Sequence, residues 1–275
     1  MYSTAAGSSD ALDLSDFERT TTSIPISSRR ASISDTPGYV LARSNDDHPL
    51  PLAMRVAAQA RAAGVPLRLT EDRNLYFTVV KPLFDRAAAA LMLLILSPLM
   101  LTIALLIKLS DGGPVFFAQP RTGHMAGRFR MLKFRTMVPG AEHIRASIRH
   151  MNMYGESSHD FKAKDDPRIT RLGRHLRSTS LDELPNLINV LRGEMSLVGP
   201  RPTSFDAATY APGQLSRLAV KPGITGLWQV SGRASIDFAR RCDLDLDYIR
   251  TASAWSDFKL LLMTVGAVIR RSGAH

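Results

Sequence analysis

Between Ala87 and Ile107 the chain runs for 21 positions without a charge, reading AAAALMLLILSPLMLTIALLI. As an α-helix this run would be roughly 30 Å long, close to the hydrocarbon thickness of a bilayer. A soluble core helix is rarely so uniform over that length, so the pattern predicts membrane insertion. Two modes of insertion are open. Pro98 sits at the middle of the run, preceded by Ser97. Proline removes a backbone donor and kinks a helix, and the Ser97 hydroxyl is placed to bond a freed carbonyl. Basic residues flank both ends, Lys81 and Arg86 before the run and Lys108, Arg121 and Arg128 after it. Because such residues prefer the cytoplasmic side, these flanks fit a segment that enters and leaves by one face. A plain spanning helix is the other reading.

After Gly112-Gly113-Pro114 the pattern changes to that of a compact α+β domain, mostly helical. Val115 to Phe117 and Phe129 to Leu132 read as short strands around a turn from Gly123 to Gly127. Ala141 to Met153 reads as a helix. In Leu181 to Leu191, Leu181, Leu184, Leu187, Ile188 and Leu191 share one helical face. Leu260 to Ile269 is apolar but too short to span a bilayer. With Trp255 just before it, that stretch suits either a membrane interface or a core helix. Residues 1–50 are rich in Ser, Thr and Asp with little apolar periodicity, as a disordered tail is, and they lack the apolar core of a signal peptide. Pro51 to Leu69 reads as a short Ala-rich helix within that N-terminal region. The expected organisation is therefore a tail over 1–74, a membrane segment over 75–110 and a catalytic domain over 111–275.

Charge adds a partner class. The net charge is +10. Residues 1–80 hold 9 acidic and 8 basic residues and the remainder 16 and 27, so the excess lies beyond residue 80. Such a surplus suits a polyanion: nucleic acid, anionic lipid or a phosphorylated substrate. The single cysteine, Cys242, excludes an internal disulfide framework and any multi-cysteine metal site.

The most informative polar stretch is Arg177-Ser178-Thr179-Ser180-Leu181-Asp182-Glu183-Leu184-Pro185. Ser180 followed by Glu183 is a capping-box spacing, and two acids in a first turn complement the helix dipole. A purely structural helix start accounts for these residues. The same position also suits phosphate chemistry, because free N–H groups gather there. Neighbours on a helix project about 100° apart, so Asp182 and Glu183 do not form a facing acid–base pair. They can divide roles, one attacking phosphorus and the other holding a divalent cation. A phosphate site also needs fixed cations. The candidates are Lys133 and Arg135 in KFRTM, Arg177, Arg201 between Pro200 and Pro202, and Arg233 after Gly232.

These segments occur in an order that resembles the bacterial sugar transferases, or monotopic phosphoglycosyl transferases. The resemblance runs from about Lys81 to Arg271. It is carried by Ser97-Pro98, PVFFAQPRTG from Pro114, KFRTM from Lys133, DPRITRLGRHLRSTSLDELPNLINVLRGEMSLVGPRP from Asp166, and KPGITGLWQVSGR from Lys221. It implies a re-entrant membrane helix-break-helix broken at Ser97-Pro98, attached to a compact cytosolic catalytic domain at the inner membrane. By match, Asp182 is the nucleophile, Glu183 holds Mg²⁺, and Arg177, Arg201 and Arg233 contact phosphate, with Lys133 in a matching segment. The substrates implied are a UDP-sugar and undecaprenyl phosphate, with UMP released through a phosphosugar–aspartyl intermediate. Glucose and galactose are the usual sugars of exopolysaccharide members. No nucleic acid is implied, and a homodimer is compatible with the resemblance. The N-terminal 75 residues have no clear counterpart. They are too short and too polar to match the four additional membrane helices and nucleotide-binding-like domain of the larger relatives.

Three other readings stand beside this one. A membrane-anchored nucleic-acid-binding protein accounts for the charge and the anchor but gives Asp182-Glu183 no role, and the chain carries no recognisable binding motif. A non-catalytic assembly subunit of a polysaccharide machine needs no nucleophile. A glycosyltransferase moving sugar alone would release UDP in place of UMP.

Overall fold

In this computed structural model the described residues are 52–62, 75–144, 147–152, 163, 166–211, 213–231 and 237–269. The longest element follows directly from the uncharged run. A π-helical turn, Tyr76–Val80, leads into helix α2, Lys81–Asp111, after the short helix α1, Leu52–Ala62. The stretch from Tyr76 to Asp111 is long and apolar enough to cross a membrane. Pro98 lies inside α2, and the helix continues through it, so the expected break is here a proline within one helix. The reason is local. Proline cannot donate to the carbonyl of Leu94, and the Ser97 hydroxyl donates to that oxygen at 2.8 Å. Helix α2 ends at Gly112, whose left-handed φ of 70° suits glycine.

One face of α2 packs on the domain and the opposite face is bare. Ala89 belongs to the larger core cluster, which includes Met131, Val190, Leu197, Leu215 and Ile249. Ile103 and Ile107 join a smaller cluster with Phe134 and Leu176. The Ser97-Pro98 pair falls between these two contacts. The outer face carries exposed Leu83, Leu91, Leu94, Ile95, Leu101 and Leu105, a bare apolar stripe of the kind that marks a membrane or partner surface.

The strands expected around the Gly123–Gly127 turn form an antiparallel hairpin, β1 (Phe116–Thr122) with β2 (Arg128–Phe134), in which Phe117 faces Lys133. Of the predicted Ala141–Met153 helix, Ala141–Ile144 is helical (α3) and Arg149–Met151 is a 3₁₀ turn. Helix α4 (Arg171–Ser178), a 3₁₀ turn (Leu181–Glu183) and α5 (Asn186–Leu191) follow. The single helix predicted over Leu181 to Leu191 is thus two pieces. Strand β3 (Ser196–Val198) pairs in parallel with β4 (Gly223–Thr225), and a 3₁₀ segment, Gln214–Ala219, lies between them in sequence. Helices α6 (Leu227–Val230), α7 (Phe238–Thr251) and α8 (Ala254–Ile269) complete the described residues. Helix α8 contains the Leu260–Ile269 run, with Leu260 in the core and Trp255, Phe258, Leu262 and Val265 exposed.

The tail expected over 1–74 is corrected at residues 52–62. Helix α1 buries Val56 in the larger core cluster, and Gln59 accepts a hydrogen bond from the Gly213 backbone N–H at 3.1 Å. An Ala-rich helix with one apolar stripe is stabilised by docking on a neighbour rather than by its own length. Residues 1–51 and 63–74 lie outside the described set.

A buried polar knot holds the root of α2. Lys81 pairs with Asp257 at the start of α8 and lies 3.7 Å from Asp85. Tyr76 and Tyr248 donate to the two oxygens of Asp257 at 2.7 and 2.8 Å. The Ser196 hydroxyl at the head of β3 donates to Asp85 at 2.5 Å. Each charge here has a partner, as burial requires.

Candidate active site

Lys133 reaches the site from β2 and the two acids from the turn between α4 and α5. Helix α4 starts at Thr170, whose hydroxyl accepts from the Gly173 N–H at 2.9 Å, an ordinary N-cap. After α4 the chain reverses at Ser180, which adopts φ 58° and ψ 15°. A non-glycine residue held there is strained, at a cost of about 1–3 kcal/mol. Ser180 makes no side-chain capping bond. The capping-box reading of Ser180 and Glu183 is therefore wrong: the serine forms a left-handed corner, and the Glu183 side chain turns away toward cations.

The Glu183 carboxylate accepts from Lys133 Nζ at 2.8 Å and from Arg201 Nη1 at 3.2 Å, with Arg201 Nη2 on the same oxygen as the lysine. Burial alone would raise its pKa, but Arg201 and Lys133 outweigh burial and hold the carboxyl well below the usual range. Its neighbour Asp182 is only 8% exposed. Burial lifts its pKa above the ordinary aspartate value, and the Glu183 charge adds to that; Lys133, Arg177 and Arg201 offset part of it. Arg177 approaches from the end of α4, its Nε donating to the Thr136 hydroxyl at 2.9 Å. Burial lowers the Arg177 pKa, and Asp182 and Asp166 counter that.

The structure thus brings together Asp182, Glu183, Lys133, Arg177 and Arg201. It does not bring Arg135. That guanidinium pairs with Asp111 at the end of α2 and packs on Gly113, where an added Cβ would meet its Nη1 at 2.0 Å. Arg135 thereby fastens the end of the apolar helix to the hairpin. Arg233 lies outside the described residues. Thr136, which orients Arg177, was quoted only as part of KFRTM; its hydroxyl next to Arg135 is the sole signal in the sequence.

Among the described residues no group of three His, Cys, Asp or Glu side chains could hold a metal ion. Glu183 already accepts three contacts of the roughly four its carboxylate can take. With Asp182 beside it, the donor set is not a closed cage. An ion of the Mg²⁺ type needs only one or two carboxylates and completes its shell with water and substrate phosphates.

A buried, partly desolvated carboxylate among three cations, next to an apolar helix, is suited to attack on a phosphate ester. The family profile described as "Bacterial sugar transferase" matches residues 76–271. The chain belongs to the bacterial sugar transferase family. As a member it is a transferase, and the readings without catalysis fall. The exopolysaccharide production protein ExoY of Rhizobium meliloti is 39% identical over 78% of this chain and 98% of its own length. The UDP-glucose:undecaprenyl-phosphate glucose-1-phosphate transferase of Caulobacter vibrioides is 39% identical over 83% of this chain and 82% of its own. The undecaprenyl-phosphate galactose phosphotransferase of Salmonella typhimurium is 42% identical over 71% of this chain, a match spanning 42% of that protein. In this sugar transferase the matched region opens at the π-helical turn before α2, so α1 lies outside it.

Proposed function

We propose that this transferase moves hexose-1-phosphate from a UDP-sugar, glucose or galactose, to undecaprenyl phosphate at the cytoplasmic face of the inner membrane, as the initiating step of exopolysaccharide synthesis. The observation that carries the reading is the placement of Asp182 among Lys133, Arg177 and Arg201, with the apolar helix α2 joined to the same domain. The names of the relatives support the two substrates.

The mechanism is a double displacement. An Asp182 carboxylate oxygen attacks the sugar-bearing phosphorus; an O–P bond forms to the aspartate as the bond to the UMP oxygen breaks. Undecaprenyl phosphate then attacks the same phosphorus through an oxygen, the aspartyl–phosphorus bond breaks, and the product is a polyprenyl diphosphate sugar. Arg201, Lys133 and Arg177 hold the phosphate oxygens where charge spreads in both steps. Desolvation of Asp182 leaves its carboxylate less shielded than in water. Glu183 is the residue that would hold Mg²⁺, which would supply further charge neutralisation when bound.

The membrane segment enters and leaves by the cytoplasmic face in this proposal. Both halves of α2 pack on one domain, on either side of Ser97-Pro98, which suits ends that share one side of the bilayer. Cysteine labelling of the N-terminal region and of the catalytic domain tests it; labels on opposite sides reject it.

The activity is tested with a nucleotide-sugar panel, undecaprenyl phosphate and Mg²⁺, scoring UMP, and by mass spectrometry of the trapped enzyme. UMP release with a phosphosugar adduct on Asp182 is expected. Release of UDP would indicate a glycosyltransferase moving sugar alone.

A further inference from the structure

We infer that Arg217 is a positioning residue for Arg201, oriented by Asp245. The inference rests on the reading of Arg201 as a phosphate-binding cation given above. The loop carrying Arg201 reads Gly199-Pro200-Arg201-Pro202-Thr203. Both prolines lack an N–H, so the loop is held through its carbonyls. The Gly223 N–H donates to Pro200 O at 3.0 Å and the Thr122 N–H to Thr203 O at 3.0 Å. Between them, Arg217 Nη2 donates to Arg201 O at 2.9 Å. The outer two bonds come from backbone groups. The middle one comes from a side chain, as does the contact between the Thr203 and Tyr210 hydroxyls at the end of the loop, but of these two only Arg217 holds Arg201 itself.

Arg217 is well placed for this task. It lies in the buried 3₁₀ segment Gln214–Ala219 and is 3% exposed, and Asp245 on α7 is 1% exposed. Asp245 Oδ2 accepts from Arg217 Nε at 2.9 Å and from Nη2 at 2.6 Å. The Arg217 guanidinium carbon sits 5.6 Å from the centre of the Phe238 ring. The carboxylate and the ring fix the plane of the guanidinium, and the same Nη2 then serves both Asp245 and the Arg201 carbonyl. Arg201 is pinned from behind through its backbone while its own guanidinium grips Glu183. A buried ion pair seldom adds net stability over apolar packing, so stability alone is a weak reason for placing this one under the catalytic loop. Alignment of Arg201 accounts for it.

A lysine at 217 keeps the charge but loses the planar fork. The test is a double-mutant cycle on the full chain in nanodiscs: Arg217→Lys, Arg201→Ala and both together, with kcat/KM from UMP release and Tm as a check on folding. Arg217→Lys is expected to lower kcat/KM about tenfold in the wild-type background and less than about twofold in the Arg201→Ala background, a coupling typical of residues in contact. An equal loss in both backgrounds, or an Arg201→Ala enzyme with unchanged kcat/KM, overturns the inference. If Arg217→Lys does not fold, Asp245→Asn takes its place in the cycle. Asparagine keeps the size of Asp245 and an acceptor oxygen for Arg217, and the same dependence on Arg201 is required of it. Wild-type enzyme that releases no UMP, or release insensitive to Asp182→Asn, counts instead against the transferase reading.

Discussion

Asp182 and Glu183 are adjacent in the chain and opposite in electrostatics: burial lifts the first carboxyl above the ordinary range, and Arg201 with Lys133 holds the second below it. The left-handed corner at Ser180 lets neighbouring carboxylates meet such different surroundings. One is poorly solvated; the other stays charged because it is paired.

The pH profile should report this division. The attacking carboxylate must be ionised, so kcat/KM should rise with pH through an acid limb above the free-aspartate value of about 3.9. Glu183→Gln removes a charge that raises the Asp182 pKa and should move the limb to lower pH. Arg201→Ala removes one that lowers it and should move the limb upward. Shifts in the same direction for both variants would contradict the arrangement.

Asp182→Asn should reduce UMP release to background while raising Tm. The sign follows from the raised pKa. The protonated carboxyl is tolerated at low pH, and ionisation in the folded state costs stability as pH rises. Differential scanning fluorimetry at pH 4 and pH 8 should show the gain growing with pH.

Glu183 contributes with the opposite sign. Its stabilisation is present above the ordinary glutamate range and lost as pH falls toward its depressed pKa. Glu183→Gln and Arg201→Ala should each lower kcat/KM on the order of 10²–10³-fold, as loss of a transition-state charge contact does. The double variant should fall little further, because residues that act as a unit are not additive.

Gly173→Ala tests the seat of Arg177. A Cβ there would lie 2.1 Å from the Thr136 carbonyl oxygen, a backbone atom. Helix α4 would have to shift, straining the Arg177–Thr136 bond. A loss of about 1–3 kcal/mol is expected, with reduced turnover in the folded fraction. Unchanged Tm and unchanged kcat would show that α4 moves freely.

The sequence was most legible where local rules and the tertiary environment agree. The apolar run, the hairpin around Gly123–Gly127 and the hydroxyl substitution at Ser97 were all visible in residue order, because each depends on neighbours within a few positions. Glu183 was misread from spacing alone, since its partners Lys133 and Arg201 lie 50 and 18 residues away. The pairing of Arg135 with Asp111 was equally illegible, because the two lie 24 residues apart. Arg217 left no sign in the sequence, because a buried arginine is recognised only by the carboxylate and carbonyl that surround it.

In the proposed membrane seating, the ionic cluster at the foot of α2 would act as a depth stop. Lys81, Asp85 and Asp257 are bonded to one another and to the domain, and charges of this kind cost several kcal/mol in hydrocarbon. In that seating the uncharged run from Ala87 to Ile107 would enter the bilayer and the ion-paired root would stay out of it. The height of Asp182 above the lipid headgroups would thereby be set by where the charges end along one helix, which would let a fixed carboxylate serve, in the proposed reaction, one reactant that arrives from water and another that never leaves the membrane.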